Sequence, residues 1–245
     1  MPAKRRVDVL LVERGLAESR ARAQALVLAG KVYAGERRID KSGTELDLAS
    51  ELTVRESERF ASRGGYKLLG ALEALACDVT GAICADVGAS TGGFTDCLLQ
   101  LGASKVYAID VGNGQLAHKL VTDARVVVMD RTNARHLKRE DFSEPLDLVV
   151  VDASFISLEK LLPAIASWLS PGARLLAMIK PQFEVGREEA RRTRGVIRDP
   201  NVRSAAIERV LESVRASGFT VHGGSDSGVP GPKGNVEYFV LAERS

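Results

Sequence analysis

From residue 66 onward the chain alternates short β-branched runs with helix-length stretches, and that alternation restricts the fold more than any other feature. Ile83 to Val87, Val106 to Ile109, Val126 to Met129, Leu146 to Val151 and Leu175 to Ile179 read as strands. They are near-continuous hydrophobic runs, as strands covered on both faces require. Helical stretches at 94–101, 115–121, 132–139 and 158–168 separate them. Strands joined through helices pair in parallel, which predicts an α/β sheet with helices on both sides. A helix from Arg203 to Ser217, apolar at Ile207, Val210, Leu211 and Val214, then precedes strands near 219–222 and 236–242. Its stripe has the spacing of core packing.

The first part of the chain has another character. Val7 to Arg14 reads as a short helix ended by Gly15, and Ser19 can cap a second helix that stops at Gly30. Short strands follow at Lys31 to Tyr33, around Arg38 and Ile39, and at Glu51 to Val54, giving a small α+β unit. The net charge of the 245 residues is only +2, but its distribution is uneven. Residues 1–38 hold nine Lys/Arg against four acids, a surplus of five, while residues 39–59 hold six acids against three bases. A concentrated basic head is the footprint of a nucleic-acid partner, although a solvated helical face has the same composition. Lys4, Arg5, Arg6, Arg14, Arg20, Arg22 and Lys31, with Arg63 beyond them, are the candidate RNA contacts. The charged, glycine-containing stretch 55–65 links the two parts, and the expected division is a head at 1–58, a linker at 59–65 and an α/β domain at 66–245.

Composition excludes several classes. With 45% hydrophobic and 27% charged residues the chain has material for a core, so it is not a disordered or repeat protein. Its apolar runs fall far short of the roughly 20 residues of a membrane span. Cys77, Cys84 and Cys97 form no CxxC pair and read as reduced core residues of a cytoplasmic protein. His118, His136 and His222 do not cluster, and no metal is expected.

The strand at 82–87 runs into Gly88-Ala-Ser-Thr-Gly-Gly-Phe-Thr and then a helix. Such a turn brings backbone close to a ligand above a helix N-terminus. It is neither GxGxxG nor a P-loop. Asp86 precedes the first glycine, where it would repel a pyrophosphate, which argues against a nicotinamide dinucleotide. Asp110 ends the next strand, where a carboxylate can accept ribose hydroxyls, and Asp130 ends the third, placed to read an adenine amino group. A phosphate-free nucleoside carrying a cation suits three carboxylates, and S-adenosylmethionine is such a ligand. Gly88, Ser90, Thr91, Gly92, Gly93 and Phe94 complete the candidate cofactor set. The aspartates also fit a plainer role as helix caps or turn residues.

Lys67, Asp152, Lys180 and Glu237 form a second constellation. Asp152 and Lys180 end strands and so belong on the rim where ligands of open α/β sheets gather. A lysine can act as a base toward an alcohol if burial and a neighbouring cation lower its pKa. An ordinary rim salt bridge has the same spacing.

Several long motifs now converge. Ser62-Arg-Gly-Gly-Tyr-Lys-Leu, Asp86-Val-Gly-Ala-Ser-Thr-Gly-Gly-Phe-Thr, Val151-Asp-Ala-Ser-Phe-Ile-Ser-Leu, Ile179-Lys-Pro-Gln-Phe-Glu-Val-Gly and Gly234-Asn-Val-Glu-Tyr-Phe resemble the TlyA family. Members are often labelled hemolysin A and belong to the FtsJ-like ribosomal RNA methyltransferases. The resemblance covers essentially the whole chain, and the head resembles the RNA-binding domain named for ribosomal protein S-four. It implies a Rossmann-like S-adenosylmethionine-dependent methyltransferase with a small N-terminal α+β RNA-binding domain. The implied reaction is 2'-O-methylation of a ribosomal RNA cytidine, with Lys67, Asp152, Lys180 and Glu237 as a catalytic tetrad and Lys180 as general base. The implied partner is ribosomal RNA or a ribosomal subunit, with no membrane and no metal. Phe60 stands where some relatives carry Trp, and the chain stops at Ser245, short of the extension of longer members. Short forms in this family are associated with the cytidine in helix 69 of 23S rRNA, so the narrower substrate range is expected.

Other readings remain. The hemolysin label suggests a membrane-active protein, and a noncatalytic RNA-binding protein could share the fold. Phe155 and Phe183 follow Asp152 and Lys180 by three residues each, and either could stack on an extruded base or pack in the core. The loop from Arg187 to Gly195 carries four arginines, suited to clamping phosphates, to closing over the site or to remaining in solvent.

Overall fold

The computed structural model describes residues 4–54, 59–231 and 233–245, and the chain divides into two compact units, residues 1–59 and 60–245. In the first unit, strand β1 (Lys4–Arg6) leads into helices α1 (Val7–Glu13) and α2 (Arg20–Leu28). Four short strands follow: β2 (Val32–Ala34), β3 (Arg37–Arg38), β4 (Glu45–Asp47) and β5 (Leu52–Val54). β1 pairs with β4, and β3-β2-β5 form a three-stranded sheet. The Ser19 hydroxyl caps α2 by accepting from the Arg22 amide at 3.2 Å. Leu10, Leu11, Ala23, Leu26 and Val27 of the two helices meet Val32, Ile39 and Leu52 in one small core. β1 and β4 have no counterpart in the sequence reading because three charged or mixed residues show no period-two pattern.

Of the linking stretch, residues 55–58 lie outside the described residues. Phe60 is 1% exposed within the second unit's core, its ring edge-on to Tyr66 at 5.1 Å. Helix α3 (Gly64–Ala74) already begins at Gly64. The rest of this unit alternates β6 (Ile83–Val87), α4 (Gly93–Gln100), β7 (Lys105–Ile109), α5 (His118–Val121), β8 (Val126–Met129) and β9 (Leu148–Val151). It continues through α6 (Leu162–Trp168), β10 (Arg174–Ile179), α7 (Pro181–Glu184), α8 (Arg187–Arg192), α9 (Pro200–Ala216), β11 (Phe219–Asp226) and β12 (Tyr238–Arg244). The helix expected at 132–139 is instead two 3-10 turns, Ala134–His136 and Arg139–Asp141. Asn133 accepts from the Arg135 amide at 3.1 Å, and a stretch this short gains little from helical cooperativity.

The seven strands lie in the order β11-β12-β10-β9-β6-β7-β8. β8, β7, β6, β9 and β10 are mutually parallel, and β12 runs against both β10 and β11. Alternate residues of each strand enter opposite cores. Val149 and Val151 join Ile165, Trp168 and Val210 on one face; Leu148 and Val150 join Leu72, Leu98 and Phe239 on the other. Chain order reverses between β6 and β9, and at such a switch point the crevice lies beyond the strands' carboxyl ends.

Candidate active site

Three strand registers assemble one rim. Val87 of β6 faces Val151 of β9, so Gly88 and Asp152 emerge side by side. Ala177 of β10 also faces Val151, which brings Lys180 to the same edge. Because β12 is reversed, its beginning lies where its neighbour ends. Ile179 faces Tyr238, and Lys180 therefore stands across from Glu237. Lys67 completes the set from α3.

The four side chains form two ion pairs in a mostly dry setting. Lys180 Nζ lies 2.5 Å from Asp152 Oδ1 and donates to Ser154 Oγ at 2.8 Å. Lys67 Nζ pairs with Glu237 Oε2. Lys67, Lys180 and Glu237 are buried, at 9%, 7% and 2% exposure. Burial pushes the Asp152 carboxyl above the ordinary range, Lys180 and Lys67 pull it down, and Glu237 pushes it up again. All four groups thus share one electrostatic field, and a rim salt bridge is too small a description of them.

Beside this cluster is a cleft of about 330 Å³, lined by Ser62, Arg63, Gly64, Lys67, Gly88 to Thr91, Gly93, Phe94, Asp152 and Pro230. Gly88 has φ +87, and a Cβ there would lie 2.7 Å from the Asp152 carbonyl oxygen. Gly92 has φ +94, and a Cβ would lie 2.2 Å from Leu120 Cδ1. The turn needs glycine for its own packing as well as for backbone approach to a ligand. Phe94 is buried and stacked on Phe239 at 6.1 Å between ring centroids, so it serves as wall and core together.

The three aspartates take different parts. Asp86 is fully buried, and burial pushes its carboxyl up to about 7. Its Oδ1 has no hydrogen-bond partner, an acceptor in want of a donor such as an ammonium or an ordered water. Asp110 accepts from the amides of Ser90 (2.8 Å) and Gly112 (2.6 Å), and Asp130 from the amide of Gly114 (2.7 Å). Both are half-buried at strand ends, and each carboxylate oxygen has a second lone pair for a sugar or base. Asp110 and Asp130 do not line the cleft itself. The donor set fits a cationic, phosphate-free nucleoside: acidic groups and backbone amides surround the turn.

Two neighbours of the site, Ser154 and Glu184, were not among the candidate residues. Ser154, exposed on the loop after β9, accepts a hydrogen bond from Lys180; its signal was its place in the Asp-Ala-Ser run. Buried Glu184 accepts from the Ser157 hydroxyl and the Leu158 amide at 2.7 and 2.9 Å, tying that loop to the segment after Lys180. Phe155 is 91% exposed at φ +64, with its ring 5.2 Å from that of Phe183. Exposure of that degree excludes core packing for Phe155. The described residues contain no group of acids, histidines or cysteines arranged to hold a metal ion.

In the first unit the basic candidates have internal work. Arg6 grips fully buried Asp8 through two bonds of 3.0 and 2.9 Å, and Arg20 and Gln24 reach the same carboxylate at 3.1 and 3.0 Å. Arg20 and Gln24 are partly drawn in by an acid whose burial no local pattern announces. Arg5 pairs with Glu13, and Arg14 donates to the carbonyls of Leu48 and Ser50 at 2.6 Å. Among the described residues Lys4, Arg22 and Lys31 appear in no such pair, and Arg22 and Lys31 line a shallow cleft with Glu18. In the second unit Arg63 stands at the mouth of the main cleft and donates to the Pro230 carbonyl at 3.1 Å.

Comparison with known proteins agrees with this geometry. Residues 60–244 match the family model described as FtsJ-like methyltransferase, and residues 5–52 match the S4 domain. The chain is 48% identical over 242 residues to the 16S/23S rRNA (cytidine-2'-O)-methyltransferase TlyA of Mycobacterium tuberculosis, covering 98% of this chain and 90% of that protein. It belongs to the TlyA family of FtsJ-like methyltransferases. A second TlyA member, the 23S rRNA (cytidine-2'-O)-methyltransferase of Campylobacter jejuni, is 35% identical over 197 residues, 80% of this chain and 73% of that protein. A solved, hemolysin-labelled structure from Streptococcus thermophilus is 41% identical, with a TM-score of 0.75 over 100% of this chain and 90% of that one. The chain is a methyltransferase, and S-adenosyl-L-methionine is the cofactor that the TlyA family uses. As for the hemolysin label, no described helix is long and apolar enough to cross a membrane.

Proposed function

We propose that this TlyA-family chain transfers the methyl group of S-adenosylmethionine to the 2'-hydroxyl of a ribosomal RNA cytidine, in the cytoplasm, on rRNA or an assembled subunit. The observation that carries the reading is the pairing of Lys180 with Asp152 and of Lys67 with Glu237 beside the glycine-turn cleft. Gly88, Ser90, Thr91, Gly92 and Gly93 would hold the cofactor through backbone, with Asp110 and Asp130 taking its nucleoside. When bound, the cofactor supplies an electrophilic methyl carbon on a sulfonium.

Lys180 is the general base. Its ammonium has three donors, of which Asp152 and Ser154 take two, so one position remains for the substrate hydroxyl. After losing a proton, Lys180 Nζ accepts the one released as the 2'-oxygen attacks. Asp152 holds the amine in line, and Glu237 fixes Lys67. Positioning in a dry site provides the rest of the acceleration.

Phe155 suits the extruded base. An exposed aromatic held in left-handed backbone beside Phe183 offers a stacking face at the edge of the site. The basic head at 1–58, joined by 59–65 to the catalytic part, supplies RNA affinity. Arg5, Arg6, Arg14 and Arg20 retain outward donors beyond their internal bonds, since each guanidinium has five. The large-subunit cytidine in helix 69 is the target implied by the family resemblance, and the Campylobacter jejuni relative is named for 23S rRNA alone. Mass-spectrometric mapping of 2'-O-methyls on rRNA from cells with and without the chain tests the reading; an unchanged map refutes it.

A further inference from the structure

Residues 186–198 hold five arginines and two glutamates, a surplus of three positive charges within the methyltransferase unit. Both ends of this segment are fastened to the catalytic rim. It leaves from α7, which directly follows Lys180. It returns to Asn235, two residues before Glu237 and 4% exposed. The Asn235 amide uses both ends: Nδ2 donates to the Gly195 carbonyl and Oδ1 accepts from the Ile197 amide, each at 2.9 Å. Arg194, just before this clamp, is held at φ +51. Left-handed backbone is disfavoured for a non-glycine residue, and glycine or asparagine takes such a position with less strain.

The arginines themselves divide. Arg192 is bidentate to Glu189 at 3.0 and 2.8 Å. Arg191, Arg194 and Arg198 are exposed and have no ion pair among the described residues. Arg194 and Arg198 share with Arg192 a cleft of about 380 Å³, where Glu189 and Asp199 are the acids. A guanidinium fork matches two phosphate oxygens at once, which a lysine cannot do. In RNA the 2'-hydroxyl lies next to the 3'-phosphodiester of the same nucleotide. Any ribose delivered to Lys180 therefore brings backbone phosphates to the surroundings of that strand end, where this segment is anchored.

We propose that Arg191, Arg194 and Arg198 form a phosphate clamp for the RNA backbone flanking the target nucleotide. The clamp rests on the reading of the chain as an RNA methyltransferase and gives the catalytic unit a grip of its own on the substrate. It recognises backbone and not base, so it sets affinity rather than sequence preference.

The test uses the full chain, 23S rRNA and large ribosomal subunits. The triple variants carry Arg191→Gln, Arg194→Gln and Arg198→Gln, or Lys at all three. S-adenosylmethionine binding by calorimetry reports that each variant is folded. For the Gln variant we expect KM for RNA to rise about tenfold or more, with a smaller change in kcat at saturating RNA. The plot of log affinity against log salt should become shallower by about two, given roughly 0.7–0.9 per lost phosphate contact. The Lys variant should keep most of the salt slope and recover only part of the affinity. Unchanged KM and unchanged salt slope in the Gln variant overturn the clamp. If the wild-type chain binds RNA but leaves its 2'-hydroxyls unmethylated, the functional reading falls while the salt slopes still decide the clamp.

Discussion

Thr95 donates both its backbone amide and its hydroxyl to a single oxygen of Asp86, at 2.9 and 2.7 Å, and leaves the other oxygen without a partner. Desolvation outweighs those two bonds, so the carboxyl is pushed up from 3.8 to about 7. The folded state thus binds the proton more tightly than the unfolded chain. The contribution to stability is full below about pH 4 and is lost as pH rises through about 7. A carboxyl raised from 3.8 to about 7 corresponds to a loss on the order of 4 kcal/mol. Asp86→Asn should flatten this dependence, and the gap between the urea midpoints of the two proteins, measured from pH 4 to pH 8, should be smallest at the acid end and widen as pH rises.

Removing the proposed base should separate chemistry from binding. Lys180→Met is expected to lower methyl transfer to rRNA by roughly 10²–10⁴-fold, the usual worth of a general base. S-adenosylmethionine affinity, measured by calorimetry, should change little. Full activity in this variant would remove Lys180 from the mechanism.

The Lys67–Glu237 pair should behave as a buried ion pair in unfolding experiments. Lys67→Met strands the Glu237 carboxylate at 2% exposure and should destabilise the catalytic unit by about 3–5 kcal/mol. Adding Glu237→Leu should restore part of that loss, because the uncompensated charge disappears. Denaturant midpoints of the single and double variants give the comparison, and a double variant worse than the sum of the singles would contradict it.

Phe155 should matter to substrate and not to the fold. With 91% of its surface exposed, Phe155→Ala should shift stability by less than about 0.5 kcal/mol. Loss of a stacked base is worth about 1–3 kcal/mol, so kcat/KM for rRNA should fall roughly 5- to 150-fold. Thermal unfolding and single-turnover methylation read the two effects apart.

Asp8 should govern the head. Its carboxyl is held far below the usual carboxylate range, chiefly by Arg6, with Gln24 and Arg20 assisting. Such a group contributes stability above the ordinary value of 3.8 and loses it as pH falls through its folded pKa. At pH 7, Asp8→Asn should therefore weaken hydrogen-exchange protection of α1 and α2 by about 10- to 100-fold, while α3 to α9 keep theirs.

These cases show what the sequence made legible. The strands were readable because both their faces are buried, and the glycine turn because its residues are contiguous. Asp152 and Lys180 could be placed on a common rim by the parallel-strand rule. That Lys180 meets Glu237 depends on the reversed direction of β12, which no local pattern encodes; family resemblance supplied it. Asp8 reads as one acid among basic neighbours, and only tertiary packing makes it the residue around which Arg6, Arg20 and Gln24 are arranged. Asn235 lay inside a quoted motif, yet its partners Gly195 and Ile197 come from a distant loop.

The reversed strand β12 also imposes a timetable. Glu237 is synthesised 170 residues after Lys67. Until β12 zips between β10 and β11, Lys67 has no counterion and the rim has only three of its four groups. A sheet of β6 to β10 alone would lack the Glu237 of the proposed tetrad. On the proposed mechanism, competence therefore waits for β12, and a chain that stops before that strand is silent.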